Sequence, residues 1–192
     1  MLTIEPTAIA EVRLISTCWH ADERGVFSEV YSRSRWHAAG ISDDWFQDNH
    51  AVSALAGTLR GLHFQRSPMA QAKLIRVVRG AIWDVAVDIR IGSPWFGRWV
   101  GNELSAANRH QLYVPAGFAH GYCTLEPDTE VFYKVDAPYA GETEGGIAWN
   151  DPTLALPWPL PPSGPVISDK DRKLPRLADL PPCFDYRQGG VR

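Results

Sequence analysis

Apolar residues between Ala51 and Val135 fall in short runs rich in Val, Ile, Trp, Tyr and Phe, each closed by Gly or Pro, a pattern that predicts strands. Lys73–Arg79 stops at Gly80, and Ala81–Asp88 then alternates before a turn at Gly92-Ser93-Pro94, which reads as an antiparallel pair. Further strands are predicted at Thr58–Phe64, Gln111–Val114, Tyr122–Leu125 and Val131–Val135. One short helix stands out, Ser34–Ala39, with Ser32 or Ser34 as its cap and Gly40 as its stop. Nine of the 15 prolines lie between Pro152 and Pro182, so this stretch must run extended over a core. Many short strands with few helices argue for a sandwich or barrel, of which the jelly roll is the form that leaves a ligand cavity. The expectation is an all-β jelly-roll barrel with a few short helices and a proline-rich C-terminal wrap.

Composition narrows the partner. A chain of 192 residues that is 45% hydrophobic and 21% charged fits a single domain spanning 1–192 and excludes a disordered or fibrous chain. Lysine and arginine number 19 against 22 acidic residues, a net charge of -3. That balance lacks the basic footprint of a nucleic-acid or anionic-membrane binder and points to a small-molecule partner. Cys18, Cys123 and Cys183 have no zinc-site or redox spacing and read as thiols of a reducing compartment. The opening residues lack a basic head and an apolar run, and six prolines between Pro152 and Ser168 rule out a spanning helix there, so a cytoplasmic location is expected.

Two stretches carry candidate chemistry. Thr58–Phe64 places Arg60 and His63 inside an apolar run, where charge is costly unless paired or met by a ligand. Strict alternation sends the two to opposite faces, so a shared site needs a bulge, and Gly61 is its natural position. Taken alone, the strand reads more simply as a satisfied core histidine and an edge arginine. Pro115–Gly121 resembles the second motif of the cupin superfamily, and Gly57 with His63 resembles the start of the first. Where a metal-binding cupin has a second histidine this chain has Gln65, and no glutamate stands near Met69 and Ala70. His63 and His120 alone would hold a metal weakly, so no metal is expected and an organic acid-base site is favoured.

A more specific resemblance spans nearly the whole chain. Asp22–Glu29, Phe46–His50, Leu59–Gln65, Gln71–Val77, Val131–Val135, Gly146–Pro152 and Ile167–Asp171, in that order, resemble the dTDP-4-dehydrorhamnose 3,5-epimerase family of nucleotide-sugar enzymes. The resemblance implies a cofactor-free jelly-roll homodimer that inverts carbons 3 and 5 of dTDP-4-keto-6-deoxy-D-glucose, giving dTDP-4-dehydro-L-rhamnose. It makes His63 the base, with Asp171 as its carboxylate partner and Asp169 as the weaker candidate for that place. Lys73 would steady the enolate and Tyr133 would return a proton from the opposite face, the roles that epimerisation beside a ketone demands. For the nucleotide, the resemblance places binding roles on Arg24, Phe27, Glu29, Gln47, Asn49, Arg60, His120, Glu144 and Lys170, with Tyr139 stacked on the thymine. Arginine suits the diphosphate through its fork of donors. The chain departs from the family pattern at Ala137-Pro138-Tyr139, which replaces two adjacent tyrosines, and at Ala72, where glycine is usual. Relatives with the same base and acid invert only one carbon, so a single-site 3- or 5-epimerase is the same-fold alternative. A metal-dependent cupin enzyme and a non-catalytic nucleotide-sugar binder are the others.

Overall fold

Alternation in the runs noted above sorts their side chains onto two faces, and burying both faces requires layers on either side. The computed structural model describes residues 2–186. In chain order its strands are β1 Thr3–Pro6, β2 Arg13–Ser16, β3 His20–Asp22, β4 Gly25–Phe27, β5 Gln47–Ser53, β6 Leu59–Gln65, β7 Lys73–Arg79 and β8 Ala81–Asp88. They continue as β9 Arg90–Ile91, β10 Trp99–Ser105, β11 Gln111–Val114, β12 Phe118–Thr124, β13 Thr129–Val135, β14 Glu144–Gly146 and β15 Phe184–Asp185. A single helix, α1 Arg33–Ala38, lies between β4 and β5. Ser32 is its N-cap residue, and Gly40 just past its end has a φ of +79°, the left-handed turn expected of the stop.

Two antiparallel sheets face each other, one ordered β1-β2-β11-β7-β13-β5 and the other β10-β8-β12-β6-β14. This is the jelly roll that the sequence predicts. Between them Ile75, Val77 and Val131 of the first sheet meet Ile82, Ala86, Leu104 and Tyr122 of the second. The outer face of the second sheet is covered by the proline-rich wrap, whose Leu154, Leu177 and Phe184 pack on Val85, Val87 and Phe64. The outer face of the first is covered by Trp36 and Ile41, which pack on Ile15, Leu74 and Tyr113. Both layers shed water by these covers, which is why β8 and β12 read as nearly unbroken buried strands.

The structure corrects two strand assignments. Lys73–Arg79 and Ala81–Asp88 do not pair with each other: β7 pairs with β11 and β13, β8 with β10 and β12. Gly80, at φ +74°, carries the chain from one sheet to the other, because each strand has a buried face that only the opposite layer can cover. The strand placed at Tyr122–Leu125 runs from Phe118 to Thr124, so His120 lies within β12. Ala119 and Gly121 weaken the strand signal there, although they are the small residues that the packed strand needs. No helix among the described residues is long and apolar enough to cross a membrane.

Candidate active site

The cleft opens between the sheets at the end where Lys73, Tyr133, His63 and His120 replace aliphatic residues. One lobe, about 580 Å³, is lined by Arg60, His63, Lys73, His120, Tyr122, Tyr133, Ser168, Lys170 and Asp171, among others. A second lobe, about 370 Å³, shares His63, Lys73 and Tyr133 and adds Gln47, Asn49, Gln65, Tyr139 and Glu144.

Arg60 and His63 reach the same lobe through a bulge. On β12 two steps, from His120 to Tyr122, face three steps on β6, from His63 back to Arg60. Gly61 lies in that extra length at φ +123°, and a Cβ on it would meet the Gly121 Cα at 2.6 Å and the His120 carbonyl oxygen at 2.8 Å. Any larger residue would push the two strands apart and separate the histidines they carry.

His63 Nε2 lies 2.8 Å from Asp171 Oδ1. Asp171 is only 4% exposed, and its other oxygen accepts the Gly61 N–H at 3.2 Å. Burial is the largest single influence and would raise its pKa, but the His63 hydrogen bond and charge, together with the Gly61 and Ser168 hydrogen bonds, outweigh it and hold the carboxyl below the usual range. The tail delivers it: Val166 N–H donates to the Gly57 carbonyl and Leu59 N–H to the Val166 carbonyl, so the segment before Asp171 runs beside the start of β6. Asp169 points to solvent, 3.9 Å from Arg172.

Lys73 opens β7 on its inward face and is 9% exposed, with Nζ donating to the His63 carbonyl at 3.2 Å. Burial pushes its pKa down to about 8, offset in part by Asp84 and Glu144. The folded chain therefore releases a proton between pH 8 and 10.5 that the unfolded chain keeps, and stability rises with pH across that window. Lys73→Met is expected to be more stable than the native protein at pH 7 by about 3 kcal/mol, with the gain fading toward pH 10.5. Urea unfolding at several pH values checks this; a gain that is constant with pH would trace to packing instead.

Tyr133 stands on β13 opposite Ile75 of β7 and Asn49 of β5, so its ring shares the inward face. Burial raises its pKa, against the pull of Arg60, and keeps the phenol protonated. At the rim Tyr139 Oη donates to Glu144 Oε2 at 2.9 Å, and Lys170 Nζ meets the same oxygen at 2.6 Å. Gln47 Nε2 donates to Asn49 Oδ1 at 2.7 Å, while its Oε1 accepts the Tyr139 N–H. Gln65, where a metal cupin has histidine, is tied off by the Met69 and Pro138 carbonyls and the Ala140 N–H. Among the described residues no three His, Cys, Asp or Glu side chains converge as a metal site.

The structure does not bring every predicted residue together. Arg24, Phe27 and Glu29 line separate hollows at β3, β4 and α1, none of which shares a residue with the two lobes. Arg24 pairs with Asp22 on an exposed hairpin, and Phe27 is 72% exposed. Sequence reasoning also missed a residue. Asp84, fully buried on β8, holds His120 Nε2 with both oxygens at 2.9 and 3.0 Å. An aspartate inside Ile82–Val87 is the signal that could have revealed it, since a carboxylate in a buried run needs a partner.

A jelly-roll cleft holding two histidine–aspartate pairs, a buried lysine and a half-buried tyrosine defines an acid-base site, suited to moving protons on a small substrate. The profile of the dTDP-4-dehydrorhamnose 3,5-epimerase family matches residues 6–179, and the chain belongs to that family. It is therefore an isomerase of the epimerase type. A dTDP-4-dehydrorhamnose 3,5-epimerase of Sinorhizobium fredii is 51% identical over 93% of this chain and 91% of its own. The crystal structure of the Bacillus anthracis enzyme with TDP and pyrophosphate bound superposes with a TM-score of 0.89 at 48% identity, covering 92% of this chain and 99% of that one. The Legionella pneumophila enzyme in complex with dTDP-4-keto-L-rhamnose gives 0.93 at 40% identity, covering 97% and 100%.

Proposed function

We propose that the chain inverts carbons 3 and 5 of dTDP-4-keto-6-deoxy-D-glucose through an enolate, with its own side chains as acid and base. The observation that carries this reading is the His63–Asp171 pair facing Lys73 and Tyr133 across one cleft. With Nε2 engaged by Asp171, His63 Nδ1 takes the proton from the carbon beside the ketone, and Asp171 stabilises the imidazolium that forms. Lys73 places positive charge against the enolate oxygen. Tyr133 returns a proton from the other sheet, hence to the opposite face of the sugar.

Arg60 and Lys170 meet the diphosphate, and Tyr139, exposed at the rim beside Gln47, stacks on the base. The nucleotide end of the cleft lacks Arg24, Phe27 and Glu29, while an exposed hairpin elsewhere carries the first two beside shallow hollows that do not join the cleft of their own chain. A second copy supplies them, which makes the enzyme a homodimer whose sites are shared. Light scattering at micromolar concentration is expected to give about twice the chain mass; a mass of 21.4 kDa contradicts it. The three free cysteines fit a cytoplasmic location.

Proton NMR of dTDP-4-keto-6-deoxyglucose with the enzyme in deuterated water tests the reaction. Deuterium is expected at both carbons with inversion at both. Uptake at one carbon alone would make this a single-site epimerase, and uptake at neither would remove the acid-base reading.

A further inference from the structure

The structure assigns to Asp84 the part of a positioning residue that turns His120 into a hydrogen-bond acceptor for a sugar hydroxyl. This deepens the function proposed above and rests on it. His120 and His63 are Cα partners across β12 and β6, so their rings stand side by side on the inward face. Asp84 lies on β8, the strand on the other side of β12, and is 0% exposed. Both its oxygens lie within hydrogen-bond distance of one ring atom, His120 Nε2. A carboxylate only accepts, so that nitrogen carries the hydrogen.

The other ring nitrogen, Nδ1, has no protein partner among the described residues, and the ring forms part of the cleft wall. The groups that face the ring are Asp84, Lys73 and His63; burial is the strongest influence and holds the ring neutral, with Lys73 and His63 acting the same way against Asp84. A neutral imidazole with its hydrogen on Nε2 offers only a lone pair at Nδ1. Diphosphate oxygens have no hydrogen to donate, whereas sugar hydroxyls do. His120 thus has the wrong polarity for the nucleotide side, where sequence reading grouped it, and the right polarity for the sugar.

A 4-keto-6-deoxyhexose has free hydroxyls at carbons 2 and 3. The hydroxyl on carbon 3 changes face when that carbon inverts, whereas the one on carbon 2 keeps its place through both inversions. A contact from a rigid, buried pair therefore fits the 2-hydroxyl, and it would hold the ring while both neighbouring carbons react.

Three measurements test this. In enzyme labelled with ¹⁵N-histidine, His120 is expected to be neutral with Nδ1 unprotonated from pH 6.5 to 8, and Asp84→Asn, whose amide accepts or donates, is expected to lose that single tautomer. His120→Ala is expected to lower kcat/KM for the sugar nucleotide by about 10-fold or more and to leave dTDP affinity within about twofold. The analogue lacking the 2-hydroxyl is expected to be about as poor with the native enzyme and to lose nothing further with His120→Ala. An imidazolium or an Nδ1–H tautomer in the native enzyme overturns the proposal, as does a loss of dTDP affinity matching the loss for the sugar nucleotide. The tautomer is read on the enzyme alone, so it stands even if His120→Ala fails to fold. Failure of the reaction itself shows differently, as absence of exchange at carbons 3 and 5 with native enzyme.

Discussion

His63→Ala is expected to lower solvent exchange and inversion together, by about 10²- to 10⁴-fold, because no proton leaves the sugar without the base. The variant also leaves Asp171 buried with only the Gly61 and Ser168 contacts, so part of any loss could come from a shifted tail. His63→Gln separates the two effects, since its amide can still donate to Asp171 from near the position of Nε2 but cannot accept a proton. Deuterium uptake and inversion followed by NMR, with dTDP binding as the check on folding, should show both variants equally inactive. Near-native exchange in either one would move the base elsewhere in the cleft.

Tyr133→Phe is expected to fail in another way. The phenol is proposed only to finish the reaction, so its loss leaves His63 free to lift a proton and to put a deuteron back on the same face. Exchange should outrun inversion at one or both carbons, with inversion reduced by about 10²-fold or more. The same NMR experiment reads both rates. A parallel decline would exclude Tyr133 as the opposite-face acid and give that role to water or another group of the lobe. The ring itself packs against the barrel core, and Phe keeps that packing, so folding is expected to be unaffected.

Much of the layout could be read from residue order because it depends on local rules. Period-two runs between glycines located β6, β7, β8, β11 and β13, and Ser32 with Gly40 bracketed α1. Strand β5 was harder to read, since Gln47-Asp48-Asn49-His50 is polar with low strand preference, and the edge strand forms because Tyr133 and its neighbours offer it a pairing partner. The pairing of β7 with β8 was misjudged for a related reason: a glycine between two strands is consistent with a hairpin and with a crossing between sheets, and only the burial of both faces distinguishes them.

By itself, the sequence determined the strand-rich barrel, the bulge demanded by Arg60 and His63 around Gly61, the incomplete metal set at Gln65, and the order of motifs that resembles the epimerase family. Each follows from spacing along one short segment. Only the tertiary structure decided which aspartate meets His63, since Asp169 and Asp171 are two residues apart on an irregular tail whose path is set by its contacts with Gly57 and Leu59. It alone paired Asp84 with His120, 36 residues apart, and brought Lys73 into a buried place that lowers its pKa to about 8. It also separated Arg24, Phe27 and Glu29 from the cleft of their own chain. The physical reason is common to all four: hydrogen bonding, desolvation and charge act through distances in space, and these depend on how the sheets and the tail close around the site, not on neighbours in the chain.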